Sequence, residues 1–495
     1  MVFIGYDVGS SSVKAALVNA ATGQQIAVVQ SPDSEMGISA PCPGWAEQDP
    51  ELWWTHLCLA TRKLLQATSV RADAIAGVGI AYQMHGLVMV DHAGQALRPA
   101  IIWCDSRAAE IGERAFAALG AERCLAHLLN SPGNFTASKL RWVQENEPEV
   151  YRSCFRFMLP GDYLAMRLTG EMTTTPGGLS EGMLWDFPAG TPAAMLLSHY
   201  AIEPSLLPPL VGNFEVQGRV TPAASEATGL PAGIPLTYRA GDQPNNALSL
   251  NVLHPGEVAA TGGTSGVVYG IAERPVFDLQ SRVNGFLHVN HTTIAPRIGV
   301  LLCLNGAGIL YSWVRSQIAG SSFSYEALEQ MAAGVPEGSD GLCILPFGNG
   351  AERILGNRAP GAHFSGLEFN RHTTAHLVRA ALEGIAFALV YGMEIMQDMG
   401  ISPEVLRVGN DNLFQSAVFA QTLANCSGSR IEVFDTTGAY GAARAAAAGA
   451  GAFSSLGEAM DTLQAIVRYA PQDAPAVNAG YEKWKAALAL LPGAS

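Results

Sequence analysis

The sequence predicts an α/β protein of two domains with a cleft between them, and three observations predict it. The chain opens with a β-prone apolar run, VFIGYD, then a Gly/Ser turn and a second strand pattern, VKAALVN. The same strand–turn–strand pattern returns at residues 257–272 as EVAATGGTSGVVYGIA. Between and after these hairpins, helical spacing alternates with short apolar runs, the pattern of layered α/β domains.

Taken in order, QQIAVVQ follows the turn AATGQ as a third strand, completing a β-meander. Residues 50–68 fit a helix, with Pro50 at its start and apolar residues at helical spacing. IAGVGIAYQ, GLVMVD and ALRPAIIW are three further strand candidates, and helical stretches surround Leu140, Tyr163 and Met195. IPLTYRAGD is a strand running into a helix capped by Asp242. A helix over residues 372–399, a strand at VLRVGN, an Ala-rich helix over 438–449 and a helical chain end complete the reading. The short connection at Leu253–Gly256 places the domains at 1–252 and 253–495.

Composition bounds the function. Of 495 residues, 48% are hydrophobic and 15% charged, enough apolar material for two large cores. A net charge of -14 would repel phosphodiester backbones, so nucleic acid is not an expected partner. No run of 18 apolar residues and no basic-then-apolar leader is present, and the eight cysteines form no C-x-x-C pair. The expectation is a soluble cytoplasmic protein with reduced thiols, bound to no membrane. P-loop, dinucleotide-fold, serine-hydrolase and zincin motifs are all missing.

Several residues could carry chemistry. The turns 7–12 (Asp7, Gly9, Ser10, Ser11) and 262–266 (Gly263, Thr264) place exposed N–H groups beside hydroxyls, a cradle for phosphate oxygens. Each is equally an ordinary hairpin turn. Asp7, at a strand end, could hold Mg²⁺ through waters. Asp242 is either a plain N-cap or a general base kept ionised by its helix terminus; an unshifted carboxylate suffices for a proton taken late in phosphoryl transfer. His85, in the run 82–86, is either a satisfied structural histidine or a ligand contact. Trp103 and Asp105, in the run 103–107, suit a sugar's apolar face and hydroxyls, or else Asp105 pairs with Arg107.

Two longer runs are more specific. Residues 362–367 (AHFSGL) with 376–383 (HLVRAALE), and residues 136–143 (TASKLRWV), resemble the C- and N-terminal signatures of the FGGY carbohydrate kinases. Within that family, residues 43–50, 83–86 and 103–107 are most similar to the xylulokinase branch. The resemblance implies two ribonuclease-H-like domains of the actin/hexokinase/Hsp70 type closing over ATP and sugar. It puts the catalytic Asp at Asp242, the metal-linked carboxylates at Asp7 and Asp242, and the sugar contacts at Met84, His85, Trp103, Asp105, Asp242 and Asn245. It puts the nucleotide on Gly9, Ser10, Ser11, Lys14, Gly263, Thr264, Gly308, Gly409, Asn410 and Asn412. ATP and Mg²⁺ are the implied cofactors, D-xylulose the implied substrate, and dimers are common among the proteins resembled, which admits a homodimer here. Another ketose or a polyol is the runner-up substrate.

The sequence departs from that branch at Cys104, Ser12, the run 173–181 and the adenosine loop, which is Gly409-Asn410-Asp411-Asn412 instead of a glycine triplet. That loop motivates a third reading, a non-catalytic nucleotide- or sugar-binding regulator. Asn and Asp tolerate positive φ, so the turn itself is expected to form.

Overall fold

The computed structural model describes residues 1–491. The predicted meander forms as β1 (Val2–Val8), β2 (Val13–Asn19) and β3 (Gln24–Ser31), antiparallel in sequence order. β4 (Ile75–Tyr82) then pairs parallel with β1, and β5 (Leu236–Gly241) parallel with β4, giving the order β5-β4-β1-β2-β3. The strands are apolar on both faces because both are covered. On one side, Ile4, Tyr6 and Leu17 meet Trp53, Leu57 and Leu64 of helix α1 (Pro50–Ala67), which Asp49 caps through the Glu51 N–H at 3.0 Å. Helix α2 (Thr136–Asn146), the short α3 (Pro176–Glu181) and α4 (Asp242–Ser249) belong to the same unit.

A second sheet repeats this plan. β6 (Val258–Gly262) and β7 (Gly266–Ala272) form the second hairpin. With β8 (Ile298–Leu304), β9 (Val405–Gly409), β10 (Arg430–Phe434) and β11 (Ala465–Tyr469), six of the seven strands of this sheet run β8-β7-β6-β9-β10-β11. Both sheets thus contain the order 3-2-1-4-5, with the fourth and fifth strands parallel to the first. The weak internal echo in the sequence is an echo of topology. The long helix α5 (Thr374–Asp398) packs on the second sheet, and the Ala-rich α6 (Gly438–Gly449) packs on the first.

The chain divides into two compact units, 1–253 with 285–298 and 436–463, and 254–284 with 299–435 and 464–495. Two expectations need correction. The strand predicted at ALRPAIIW is confined to Ala100–Ile101, since Pro99 lacks the N–H a ladder needs. The chain end is not all helix: β11 precedes the terminal helix Pro475–Ala489 as an edge strand whose side chains are largely solvated, so its apolar signal is weak. Among the described residues no helix is long and apolar enough to cross a membrane.

Helix α6 lies directly on β1 and β4 because both strands carry a glycine there. A Cβ at Gly5 would overlap the Ala439 carbonyl and Ala443 nitrogen, and one at Gly79 the Ala442 carbonyl. Thr237 on β5 donates its hydroxyl to Ala446 O at 2.7 Å. Gly79→Ala should therefore destabilise the protein by about 1–3 kcal/mol, the usual effect of overpacking a rigid backbone contact. Urea unfolding of the two proteins checks this; equal midpoints would show the contact to be slack.

Candidate active site

The parallel register Val8↔Tyr82↔Gly241 puts three strand ends on one edge of the first sheet. Residues that follow these ends are brought together by register alone, although they lie far apart in sequence. Asp7 precedes the end of β1, Met84 and His85 follow β4, and Asp242 follows β5. The carboxyl edge of parallel strands is where α/β folds place ligands.

Asp242 is the first residue of α4, with Gly241 in the capping position, so it does not cap the helix as the sequence suggested. Nor does it keep an ordinary carboxylate pKa. Burial and then the neighbouring charge of Asp7 push it up to about 7, against the local N–H groups of Gln243 and Asp242 itself. The helix terminus favours the anion by less than burial between two acids opposes it. Asp7 is raised too, by burial, with Lys14 opposing across the β1–β2 pair Asp7↔Lys14.

Asp7 and the residues after Asp242 reach the start of α6. A Cβ at Gly438 would stand 2.6 Å from Asp7 Oδ2 and 3.0 Å from Asn246 Oδ1. Asn245 is fully buried and donates its amide to Gly438 O at 2.9 Å. Its side chain thus joins α4 to α6.

The first turn is closed by Gly9 N–H donating to Ser12 O at 3.0 Å. Its outer side is held by Gln48, which donates to Ser10 O at 2.7 Å, and Met36 N–H, which donates to Ser11 O at 2.7 Å. Half-exposed Trp103 reaches Ser10 Oγ with its indole N–H at 3.4 Å. Asp105, by contrast, is fully buried; its carboxylate accepts from Arg107 (2.7 Å) and Ala46 N–H (2.6 Å). Arg107 also pairs with Glu47 at 2.7 Å and stacks 3.7 Å over Trp45. The Asp–Arg pair that the sequence left open is present.

His85 has φ 63, rare outside glycine, and is held there from two sides. Its Nδ1–H donates to Glu181 O at 2.9 Å. Its own carbonyl accepts from Lys139 Nζ at 2.8 Å, and the same ammonium reaches Ile102 O at 2.9 Å. Thr136 Oγ1 adds a bond to Gly86 O at 3.2 Å. Lys139 is fully buried, which pushes its pKa down to about 7 although Asp105 opposes the shift. The N-terminal signature run is thus a clamp on the Met84–Gly86 segment.

Sequence reasoning missed Glu181 as a site residue. It is 2% exposed, and burial, with Asp242 and Asp162 adding, holds its carboxyl well above the ordinary range. The Tyr82 phenol acts on that carboxyl but completes no hydrogen bond to it. Glu181, Met84, Asn213, Gly241, Pro244 and Phe286 are among the residues lining a pocket of about 240 Å³, open mouth included. A glutamate in an otherwise small-residue turn was the available signal.

In the second unit the predicted nucleotide residues fall into two groups. Gly308 and Ile309 N–H donate to Gly263 O and Thr264 O, both at 3.1 Å. Because a trans peptide opposes its N–H to its C=O, the Thr264 and Ser265 N–H groups point away from Gly308. A Cβ at Gly308 would overlap the Gly263 carbonyl. At the end of β9, Asn410 N–H donates to Phe434 O at 2.9 Å, and Asn412 takes φ 49, so the glycine-poor loop does turn. Leu413 sits against Gly262, joining this loop to the second hairpin. Glu352, also missed, accepts from Asn305 and Gly306 N–H at 2.9 and 3.0 Å and fixes the approach to Gly308; burial pushes it up to about 7.

Comparison with known proteins agrees with this architecture. Residues 2–249 match the N-terminal domain, and 258–450 the C-terminal domain, of the FGGY family of carbohydrate kinases. The chain is 31% identical over 465 residues to the xylulose kinase of Escherichia coli K12, covering 93% of each, and 30% identical to that of Bacillus subtilis 168 over 92% of this chain and 89% of the other. The crystal structure of xylulose kinase from Rhodospirillum rubrum superposes with a TM-score of 0.87 at 28% identity, covering 99% of this chain and 98% of that one.

The raised pKa of Asp242 has a thermodynamic consequence. Unfolded, this carboxyl titrates near 3.8; folded, near 7. Its contribution is therefore most favourable below the unfolded value and is lost as pH rises through the folded one. Asp242→Asn should melt higher than wild type at pH 8 in EDTA, with the gap closing towards pH 4. Calorimetric melts at both pH values check it; a variant no more stable at pH 8 would contradict the crowding of the two acids.

Proposed function

Because the chain belongs to the FGGY family of carbohydrate kinases, we propose that it transfers the γ-phosphoryl group of ATP to the C5 hydroxyl of D-xylulose, with Asp242 as general base. The observation that carries this reading is Asp242 itself: a carboxyl poised near neutrality at the carboxyl edge of the first sheet, beside Asp7 and next to the pocket lined by Met84. A base with a pKa near the working pH combines a useful ionised fraction with a real affinity for the proton it must take.

The substrate hydroxyl oxygen bonds to the γ-phosphorus as the bond from that phosphorus to the bridging oxygen breaks. ADP leaves, and the hydroxyl proton passes to Asp242. The chain's part is positioning and electrostatics, since phosphoryl transfer asks for little covalent help. The hydroxyl-lined turns at Ser10–Ser11 and Thr264–Ser265 supply donors of the kind phosphate oxygens take. Met84 and Trp103 offer apolar surface to the C–H face of a sugar.

Two buried carboxyls, the charge of Asp7 raising Asp242, fit a divalent cation, which relieves their repulsion. Mg²⁺ keeps most of its waters and needs only one or two protein carboxylates. Asp7 and Asp242 would hold it, and it would supply charge neutralisation for the phosphates.

The relatives named as xylulose kinases favour D-xylulose over another ketose or a polyol. Asp242→Asn should lower kcat by roughly 10²–10⁴-fold. An ADP-release assay over pentuloses and polyols, with wild type and variant, tests both statements. Near-wild-type turnover by the variant would remove Asp242 from the mechanism, and a higher kcat/KM on another sugar would replace D-xylulose.

A further inference from the structure

Glu181 ends helix α3, whose start is fixed by Thr175 Oγ1 accepting from Gly178 N–H at 3.0 Å. Its main chain is held by His85. Its carboxyl leans on the backbone just before Asp242: a Cβ at Gly241 would stand 2.5 Å from Glu181 Oε2 and 2.6 Å from Met84 Cγ. Oε1 is buried without a completed hydrogen bond, and the Tyr82 phenol that faces this carboxyl is unpaired as well. Leaving a buried polar atom unpaired forfeits its hydration with no return, so such an atom calls for a physical reason.

The surroundings supply one. The carboxyl lines the pocket whose other walls include Met84, Pro244, Phe286 and Leu287. Those four side chains offer no hydrogen bonds; of the other lining residues, Asn213 carries an amide. Ser180, the preceding residue, is tied to Leu287 N–H at 3.0 Å, so α3 cannot swing its carboxyl to solvent without breaking that bond. A sugar bound at the mouth of this pocket would lay C–H groups on the apolar walls and reach in with a hydroxyl to the unpaired oxygen.

We propose that Glu181 is a specificity-determining residue that hydrogen-bonds a hydroxyl of the bound sugar other than the one phosphorylated. The inference rests on the reading of the first unit as the sugar site. It separates two tasks between neighbouring carboxyls: Asp242 acts on the hydroxyl that reacts, and Glu181 selects by one that does not. A site built around a substrate hydroxyl rejects the analogue lacking it, because its own polar group is then left unpaired.

The test uses the full chain with ATP and D-xylulose, and with its 1-, 3- and 4-deoxy analogues, for wild type, Glu181→Gln and Glu181→Ala. The alanine variant should lose about 10- to 100-fold in kcat/KM on D-xylulose, mainly through KM. The glutamine variant, which keeps the shape and the hydrogen-bonding capacity, should recover most of that loss. One deoxy analogue, disfavoured at least about tenfold by wild type, should be used by the alanine variant within about threefold of D-xylulose. Unchanged discrimination against all three analogues in the alanine variant overturns the inference. So does a parallel fall in melting temperature and in kcat for both variants, which would mark a structural role. If wild type prefers another sugar, the substrate reading fails alone, and the same comparison with that sugar's deoxy forms decides on Glu181. A chain that phosphorylates none of them overturns both.

Discussion

The close approach of an Ala/Gly helix to the first sheet is the constraint on which the site depends. Gly5 and Gly79 let α6 press its backbone against β1 and β4. That contact sets the height of Gly438, and Gly438 in turn bears on Asp7 and, through Asn245 and Asn246, on the start of α4. Gly441 meets Ser249 at the other end of α4 for the same reason. Two carboxylates from residues 235 apart in sequence are thereby held close enough for the charge of Asp7 to raise the pKa of Asp242. Interiors packed to crystal density transmit such placements with little slack.

Electrostatics then runs against stability. Asp7, Asp242, Glu181 and Asp162 crowd one region, with Lys14 and Arg239 as the opposing charges. Arg239 is fully buried 3.1 Å from Asp162, and part of its guanidinium has no hydrogen-bond partner. A protein built only for stability would place apolar groups there. The raised pKa values of these acids measure the opposition.

The two signature runs turn out to be clamps. Lys139 and Thr136 hold the His85–Gly86 carbonyls. In the second unit, Glu383 of α5 accepts from Gly338 N–H, Ser339 Oγ and Arg379, and Arg379 reaches the Ala332 and Val335 carbonyls. Neither run needs to touch a substrate to matter. Buried charged groups with several fixed partners tolerate few replacements, which accounts for why such runs are recognisable at all.

The sequence alone was enough to determine both hairpins, the long helix, the Ala-rich helix and the strand-to-helix turn at residue 242, because period and turn chemistry act over a few residues. Strand edges such as β11 were not legible, since an exposed edge carries little apolar signal. Glu181 was equally hidden: nothing within ten residues says that its carboxyl will lie against Gly241. Whether Asp105 meets a sugar or Arg107, and whether Asp242 stays ionised, were also open until the chain was folded. Those outcomes depend on burial and on charges brought in by strands far apart in sequence. The ionisation of a carboxyl depends on its surroundings, and tertiary structure assembles them.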